Sequence, residues 1–338
     1  MTPILGHERV RATLWSALKA GRPHHAYLLE GPRGLGKRLI ADRYAMSANC
    51  TDDRAFVDMP CGTCPSCRQI AAGSHPDVLL LEPDTEKASR AIPIEAVREV
   101  IRKTTYHRFS ARRRFVIVDP VEAMLEPAAN ALLKTLEEPP DGTGFLLVSH
   151  NPAALLPTIR SRCQRIRLGA VPVDRVRDWL IGEHGRDREL ADAAARASLG
   201  CPGVALTLDP DGLQRRSGLR DDVLAALGGP LDGVMALAVR VTQGARQEWA
   251  TEVAALLEVV EDLIRDGVLL ATGASVPTTG PHPDLQRFAA LFPEGLGRCA
   301  RAVQDARDDL EVYVSGRTVV EALLTAVRRE LAAQPRRA

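Results

Sequence analysis

The sequence predicts a parallel β-sheet covered by helices on both faces, followed by a small helical segment and an all-helical C-terminal region. Three observations carry this. Short apolar runs alternate with helical periodicity through the first half of the chain, the signature of parallel strands joined by crossover helices. One strand-to-helix junction is rich in glycine, and after residue 168 strand-like runs stop. The 338 residues exceed one typical domain, and a 45% hydrophobic but only 4% aromatic composition predicts an aliphatic core. A net charge of +1 excludes a protein whose whole surface traps polyanions. No apolar stretch reaches the roughly 18 residues of a membrane span. The first residues lack a secretory pattern, so the expected compartment is the cytoplasm, with no membrane partner. In that reducing setting the seven cysteines point to metal or thiol chemistry wherever they cluster.

Residues 4–21 repeat Val10, Leu14 and Leu18 at helical spacing. Tyr27, Leu28 and Leu29 then form a short strand, followed by Gly31-Pro32-Arg33-Gly34-Leu35-Gly36-Lys37 and an amphipathic helix to Ala48. Strand, glycine-rich turn and helix in that order match a phosphate-binding P-loop. Gly31, Gly34 and Gly36 would let backbone N–H groups face phosphate oxygens, and Lys37 would add a point charge. A glycine-rich turn with no ligand is the plain alternative. Arg38 stands where a competent loop carries the Ser or Thr whose hydroxyl ligates magnesium. The loop is therefore expected to hold phosphate and to hydrolyse it poorly, and Arg38 argues against bound ATP and magnesium.

Cys50 precedes Cys61-Gly62-Thr63-Cys64-Pro65-Ser66-Cys67. Two overlapping C-x-x-C units and a fourth cysteine supply the S₄ set that tetrahedral zinc prefers. With four protein ligands no position remains for water, so the expected zinc is structural. Reduced core cysteines and dithiol redox chemistry are the alternatives; polar Thr63, Ser66, Arg68 and Gln69 argue against the first.

Residues 77–82 read as a strand and 94–106 as a helix with Val97, Val100 and Ile101 on one face. Arg112, Arg113 and Arg114 are expected in a turn, as a solvated basic loop or a DNA contact. Phe115-Val116-Ile117-Val118-Asp119 is a buried strand ending in an acid, the form of a Walker B segment, and Asp119 would hold magnesium through water. Pro120 occupies the position of the glutamate that polarises the attacking water. Ala129, Leu132, Leu133 and Leu136 make one helical face that Pro139 and Pro140 terminate. Residues 145–149 and 165–168 are the last strands, with Asn151 and Ser161-Arg162-Cys163 between them.

The phrase Asn130-Ala131-Leu132-Leu133-Lys134-Thr135-Leu136-Glu137-Glu138-Pro139-Pro140, the Ser161-Arg162-Cys163 triplet and the cysteine module resemble the bacterial DNA polymerase III clamp loader. This is an AAA+ assembly that opens the sliding clamp and places it on primed DNA. Over residues 7–208 the chain most resembles the delta prime type. The resemblance implies an AAA+ P-loop domain over residues 1–168 with the zinc module inserted at about 50–75, a helical lid at 169–208 and a helical collar at 209–338. It implies gamma/tau and delta subunits as partners, and the sliding clamp and primed DNA through the complex. It implies Arg162 as an arginine finger acting in trans on the neighbour's ATP, and no polymerase site of the chain's own. Asn151 corresponds to sensor 1 or, equally, to an Asn-Pro turn with Pro152; Val204 falls where sensor 2 carries an arginine. An ATP-hydrolysing gamma/tau-like subunit is the alternative, although the chain lacks the long C-terminal extension of tau.

Beyond Leu168, residues 173–185, 188–199 and 200–208 read as three short helices. Trp249, Val253, Leu256, Leu257, Val260, Leu263 and Ile264 form a long helical face, as do Val319, Val320, Leu323, Leu324 and Val327. Residues 276–283 are expected to be a surface loop, and Arg336 and Arg337 a disordered end. Cys163, Cys201 and Cys299 are too scattered to be ligands, and His24 and His25 are packing residues.

Overall fold

The computed structural model describes residues 3–52, 59–84, 91–274, 276, 283–291, 293–311 and 314–333. Most of the 276–283 loop, and Arg336 and Arg337, lie outside them. The chain divides into two compact units, Met1–Leu206 and Thr207–Ala338.

The first unit is built on strands β1 (Ala26–Glu30), β2 (Val78–Leu81), β3 (Arg114–Val118), β4 (Thr143–Ser149) and β5 (Gln164–Arg167). They form one sheet in the order β2-β3-β4-β1-β5, every pair parallel. Because strand side chains alternate, one sequence run feeds two cores. Tyr27, Leu29, Phe115, Ile117, Leu146 and Val148 pack with helices α1 (Glu8–Lys19) and α2 (Lys37–Asn49) on one face. Leu28, Val116, Val118, Phe145 and Leu147 join α4 (Ile94–Thr105), α5 (Glu126–Glu137) and α6 (Pro157–Arg162) on the other. Between α2 and β2 lies the short helix α3 (Pro65–Ala71). Helix α5 has Pro127 in its first turn and ends before Pro139, as expected. Helices α7 (Val173–His184), α8 (Arg188–Ala197) and α9 (Pro202–Thr207) follow the sheet. The architecture is a parallel sheet with helices on both faces, as expected.

At the amino end of the sheet the expectation for the three arginines is corrected. Arg114 is not in a solvated turn; it is the buried first residue of β3. Its Nη2 lies 2.7 Å from Asp77 Oδ1, and its guanidinium donates to the carbonyls of Lys103, Thr104, Tyr106 and His107. Asp77 Oδ2 accepts from the N–H groups of Phe109, Ser110 and Ala111. Burial pushes the Asp77 carboxyl up, but the Ser110 N–H, the Arg114 guanidinium and the other two N–H groups outweigh it and hold the pKa at about 2. Arg113 donates its N–H to Asn49 Oδ1, while Asn49 Nδ2 donates to the Arg113 carbonyl. Two of the three arginines thus close the loop onto the sheet.

The second unit contains α10 (Pro210–Gly228), α11 (Leu231–Val241), α12 (Arg246–Ala271), α13 (Pro283–Ala289), α14 (Glu294–Glu311) and α15 (Gly316–Ala332). The two predicted apolar faces, on α12 and α15, meet in its core. Sequence periodicity missed the ionic seam beside it. Asp262 and the fully buried Asp266 of α12 receive Arg216 at 2.6 Å and Arg220 at 2.8 Å from α10. Among the described residues no helix is long and apolar enough to cross a membrane.

Candidate nucleotide pocket and metal centre

The carboxyl ends of three neighbouring strands converge on one cavity, the position where open parallel sheets bind ligands. Gly31 follows β1, Asp119 follows β3 and His150 follows β4. The loop needs two of its glycines for space. Gly31 has φ 145°, and a Cβ there would come within 2.5 Å of the Leu168 carbonyl oxygen. Gly34 has φ 78°, and a Cβ would meet the backbone nitrogen of Val204 at 2.8 Å. The Gly203 N–H donates to the Gly34 carbonyl at 2.8 Å, so α9 sits directly on the loop. Gly36 also has positive φ, 80°, with open space beside it.

Lys37 begins α2 and is buried, and its Nζ donates to the carbonyls of Gly31 and Pro32 at 2.6 Å each. Burial lowers its pKa to about 8, against the pull of Asp119 and Glu122. Arg38 is held among three carboxylates, Asp42 at 3.0 Å, Glu82 at 3.4 Å and Asp119 at 3.6 Å. Burial raises the Asp119 pKa, and Arg38 and Lys37 only partly offset it. Magnesium does not fit here. The hydroxyl ligand is missing, and the acid that would hold the ion already faces a guanidinium. At about 4 Å and an effective dielectric of about 20, two unit charges interact by about 4 kcal/mol, and a divalent ion would meet roughly twice that repulsion.

The cavity holds about 320 Å³. Its polar lining is Gly34, Gly36, Lys37, Arg38, Asp119 and His150, and its apolar lining includes Ile4, Leu5, Trp179 and Leu206. Two buried polar atoms in that lining, Trp179 Nε1 and His150 Nδ1, have no partner among the described residues. Burial, reinforced by the charges of Lys37 and Arg33, takes the His150 pKa down to about 3, so the ring is neutral at physiological pH. Glu122, in a short 3-10 turn at Val121–Ala123, accepts from the His150 and Asn151 N–H groups at 2.7 and 3.0 Å and fixes that corner. His150 and not Asn151 lines the cavity. Val204 lies against Gly34. Trp179, Glu122, Asp42 and Glu82 escaped the sequence reading; only Trp179, an aromatic residue in a predicted lid helix, offered a signal.

The four module cysteines come together. Sγ atoms of Cys50, Cys61, Cys64 and Cys67 all lie within 4.8 Å of one another. A tetrahedron with Zn–S near 2.3 Å has edges of about 3.8 Å. Backbone N–H groups already turn toward the sulfurs, Cys64 N to Cys61 at 3.3 Å, Cys67 N to Cys64 at 3.4 Å and Cys61 N to Cys50 at 3.4 Å. Those from Cys64 and Thr63 hold the Cys61 thiol down at about 6, whereas burial pushes Cys67 up. The donor set and its N–H cradle fit a soft metal ion with no open coordination position. Against the sequence expectation, Cys50 and Cys67 do touch apolar neighbours, Met46 and Ile70.

Arg162 is the last residue of α6, outside the cavity lining. Its Nη1 donates to the Thr158 carbonyl at 2.9 Å and its Nη2 pairs with Glu137 of α5. About a third of the side chain stays exposed, at 32%.

The family described as DNA polymerase III, delta subunit, matches residues 6–172. The chain is 46% identical over 151 residues to DNA polymerase III subunit delta' of Pseudomonas aeruginosa, covering 44% of this chain and 45% of that one. It is 38% identical over 195 residues to subunit delta' of Escherichia coli K12, covering 58% and 57%. It is 34% identical over 244 residues to subunit tau of the same organism, covering 70% of this chain and 36% of that one. These matches span about half the length of the delta prime relatives. Over its first half the chain is thus similar to DNA polymerase III delta prime subunits, and the glycine-rich loop and the four-cysteine module lie within the matched residues.

Proposed function

We propose that the chain is the delta prime subunit of a DNA polymerase III clamp loader, a largely non-hydrolysing member of a cytoplasmic ring with gamma/tau and delta subunits. In that ring it helps place the sliding clamp on primed DNA and supplies Arg162 to the neighbour's ATP site. The observation that carries this reading is the Arg38 guanidinium set 3.6 Å from Asp119, where a motor subunit needs a metal ion. A chain with a failing engine can still lend a cation. Arg162 suits that role because it is partly exposed at a helix end and aimed by Glu137 and Thr158. Residues 1–168 form the P-loop domain in this reading, 169–208 the lid and 209–338 the collar through which subunits join, while the Cys50, Cys61, Cys64 and Cys67 site holds a structural zinc.

The test is reconstitution with gamma/tau and delta chains. Arg162→Ala should leave assembly intact and cut clamp-stimulated ATP turnover, since arginine fingers supply roughly 10³ to 10⁵ in rate where they act fully. Unchanged turnover would remove the finger. Elemental analysis of the same sample should return one zinc per chain, lost in Cys64→Ser. The second reading, an ATP-hydrolysing gamma/tau-like subunit, draws on the tau likeness across 70% of the chain. It requires the isolated chain to hydrolyse ATP, and brisk turnover would favour it.

A further inference from the structure

We infer that Arg38 takes the place of the divalent cation, so that this pocket binds a nucleoside polyphosphate without magnesium and keeps it unhydrolysed. The inference rests, like the proposed function, on the Arg38–Asp119 contact, and on the reading of residues 31–37 as a phosphate loop. Three observations carry it.

The first is position. Arg38 follows Lys37 in the first turn of α2 and lines the cavity beside Asp119, so its charge sits next to the phosphate loop. The metal in a competent site bridges a carboxylate to phosphate oxygens. A guanidinium can make the same bridge, because its planar N–H groups donate to carboxylate and phosphate alike. Here Nε is engaged by Asp42 and Nη1 by Glu82 and Asp119. Nη2 is left for a phosphate oxygen among the described residues.

The second is fixation. The three carboxylates come from α2, from the end of β2 and from the end of β3, so they orient the guanidinium from several sides before any ligand arrives. Preorganised charge of this kind lowers the cost of binding.

The third is the apolar lining. Trp179 is only 9% exposed, lines the cavity and has an Nε1 with no partner among the described residues. A buried indole N–H calls for an acceptor. Ile4, Leu5 and Leu206 add apolar surface to the same lining. A cavity lined by one indole donor, apolar side chains and two cations matches a heterocyclic base joined to phosphates, and the volume of about 320 Å³ lies in the range of small-ligand sites.

The experiment titrates the full chain with ADP by calorimetry, once with magnesium and once with EDTA. The wild-type affinity should agree in the two buffers within about threefold, and Arg38→Thr should lose about tenfold in EDTA and regain it with magnesium. Manganese paramagnetic resonance gives a second readout. The manganese spectrum with ADP over the wild type should match that of ADP and manganese without protein, and over the Thr variant it should show a protein-bound ion. Wild-type binding that collapses in EDTA overturns the inference and leaves the phosphate loop standing. Absence of binding in both buffers overturns the inference and the phosphate loop together. Should Arg38→Thr fail to fold, the two wild-type titrations decide alone.

Discussion

Two arginine–aspartate pairs stand at opposite ends of one sheet, and they behave in opposite ways. At the amino end Arg114 meets Asp77 at 2.7 Å, both are buried, and the carboxyl pKa is held at about 2. At the carboxyl end Arg38 meets Asp119 at 3.6 Å and the aspartate pKa moves up. The difference lies in the neighbours. Asp77 accepts three backbone N–H groups besides its arginine, whereas Asp119 shares its arginine with Asp42 and Glu82. At the first end the Arg114–Asp77 pair is satisfied and closes a loop, although Arg113 Nε beside it has no partner among the described residues. The second leaves Trp179 Nε1 and His150 Nδ1 around a cavity without a partner among the described residues. Fully paired buried polar groups help specify a fold, and each one left without a partner calls for an explanation.

The largest effect that could break this contrast is on stability. Arg114→Ala should cost about 3–5 kcal/mol in chemical denaturation, because it strands the buried Asp77 carboxylate. A loss below about 1 kcal/mol would make the two ends alike. Acid should sharpen the contrast next. Asp77 is depressed from an ordinary value of 3.8 to about 2, so its stabilisation is complete above about pH 4 and is lost as pH falls toward 2. The loss integrates to about 2 kcal/mol, and Asp77→Asn should flatten that part of the pH profile.

At the other end Arg38→Ala should change stability by about 1 kcal/mol or less, since its three ion pairs are partly exposed. The variant should instead gain manganese affinity at Asp119, read by paramagnetic resonance. The smallest effect concerns Lys37. With its pKa near 8, raising pH through that value removes its charge and should roughly halve ADP affinity between pH 7 and 8. A pH-independent affinity would take Lys37 out of the phosphate site.

The site was legible where chemistry is written in short spacing. The loop glycines and Lys37 fell where a strand-turn-helix places them, and the C-x-x-C overlap drew even Cys50, eleven residues upstream of Cys61, into one cluster. The arginine run misled because residue type alone does not tell which side of the sheet edge a guanidinium enters. Arg112, Arg113 and Arg114 read alike, yet Arg114 starts β3 and turns inward. Asn151 was the expected polar group after β4, and its neighbour His150 took the cavity.

By itself the sequence determined the alternation of strands and helices, the sheet's two apolar faces, the glycine-rich strand-to-helix turn and the four-cysteine set, because each is written in residues near one another in the chain. Only the tertiary structure decided that Arg114 finds Asp77 across 37 positions, that Arg216 and Arg220 find Asp262 and Asp266 across 46, and that Trp179 and Arg38 line one cavity. Those partners meet through strand register and helix packing, and a long side chain changes partner with a shift of one residue, which no local pattern records.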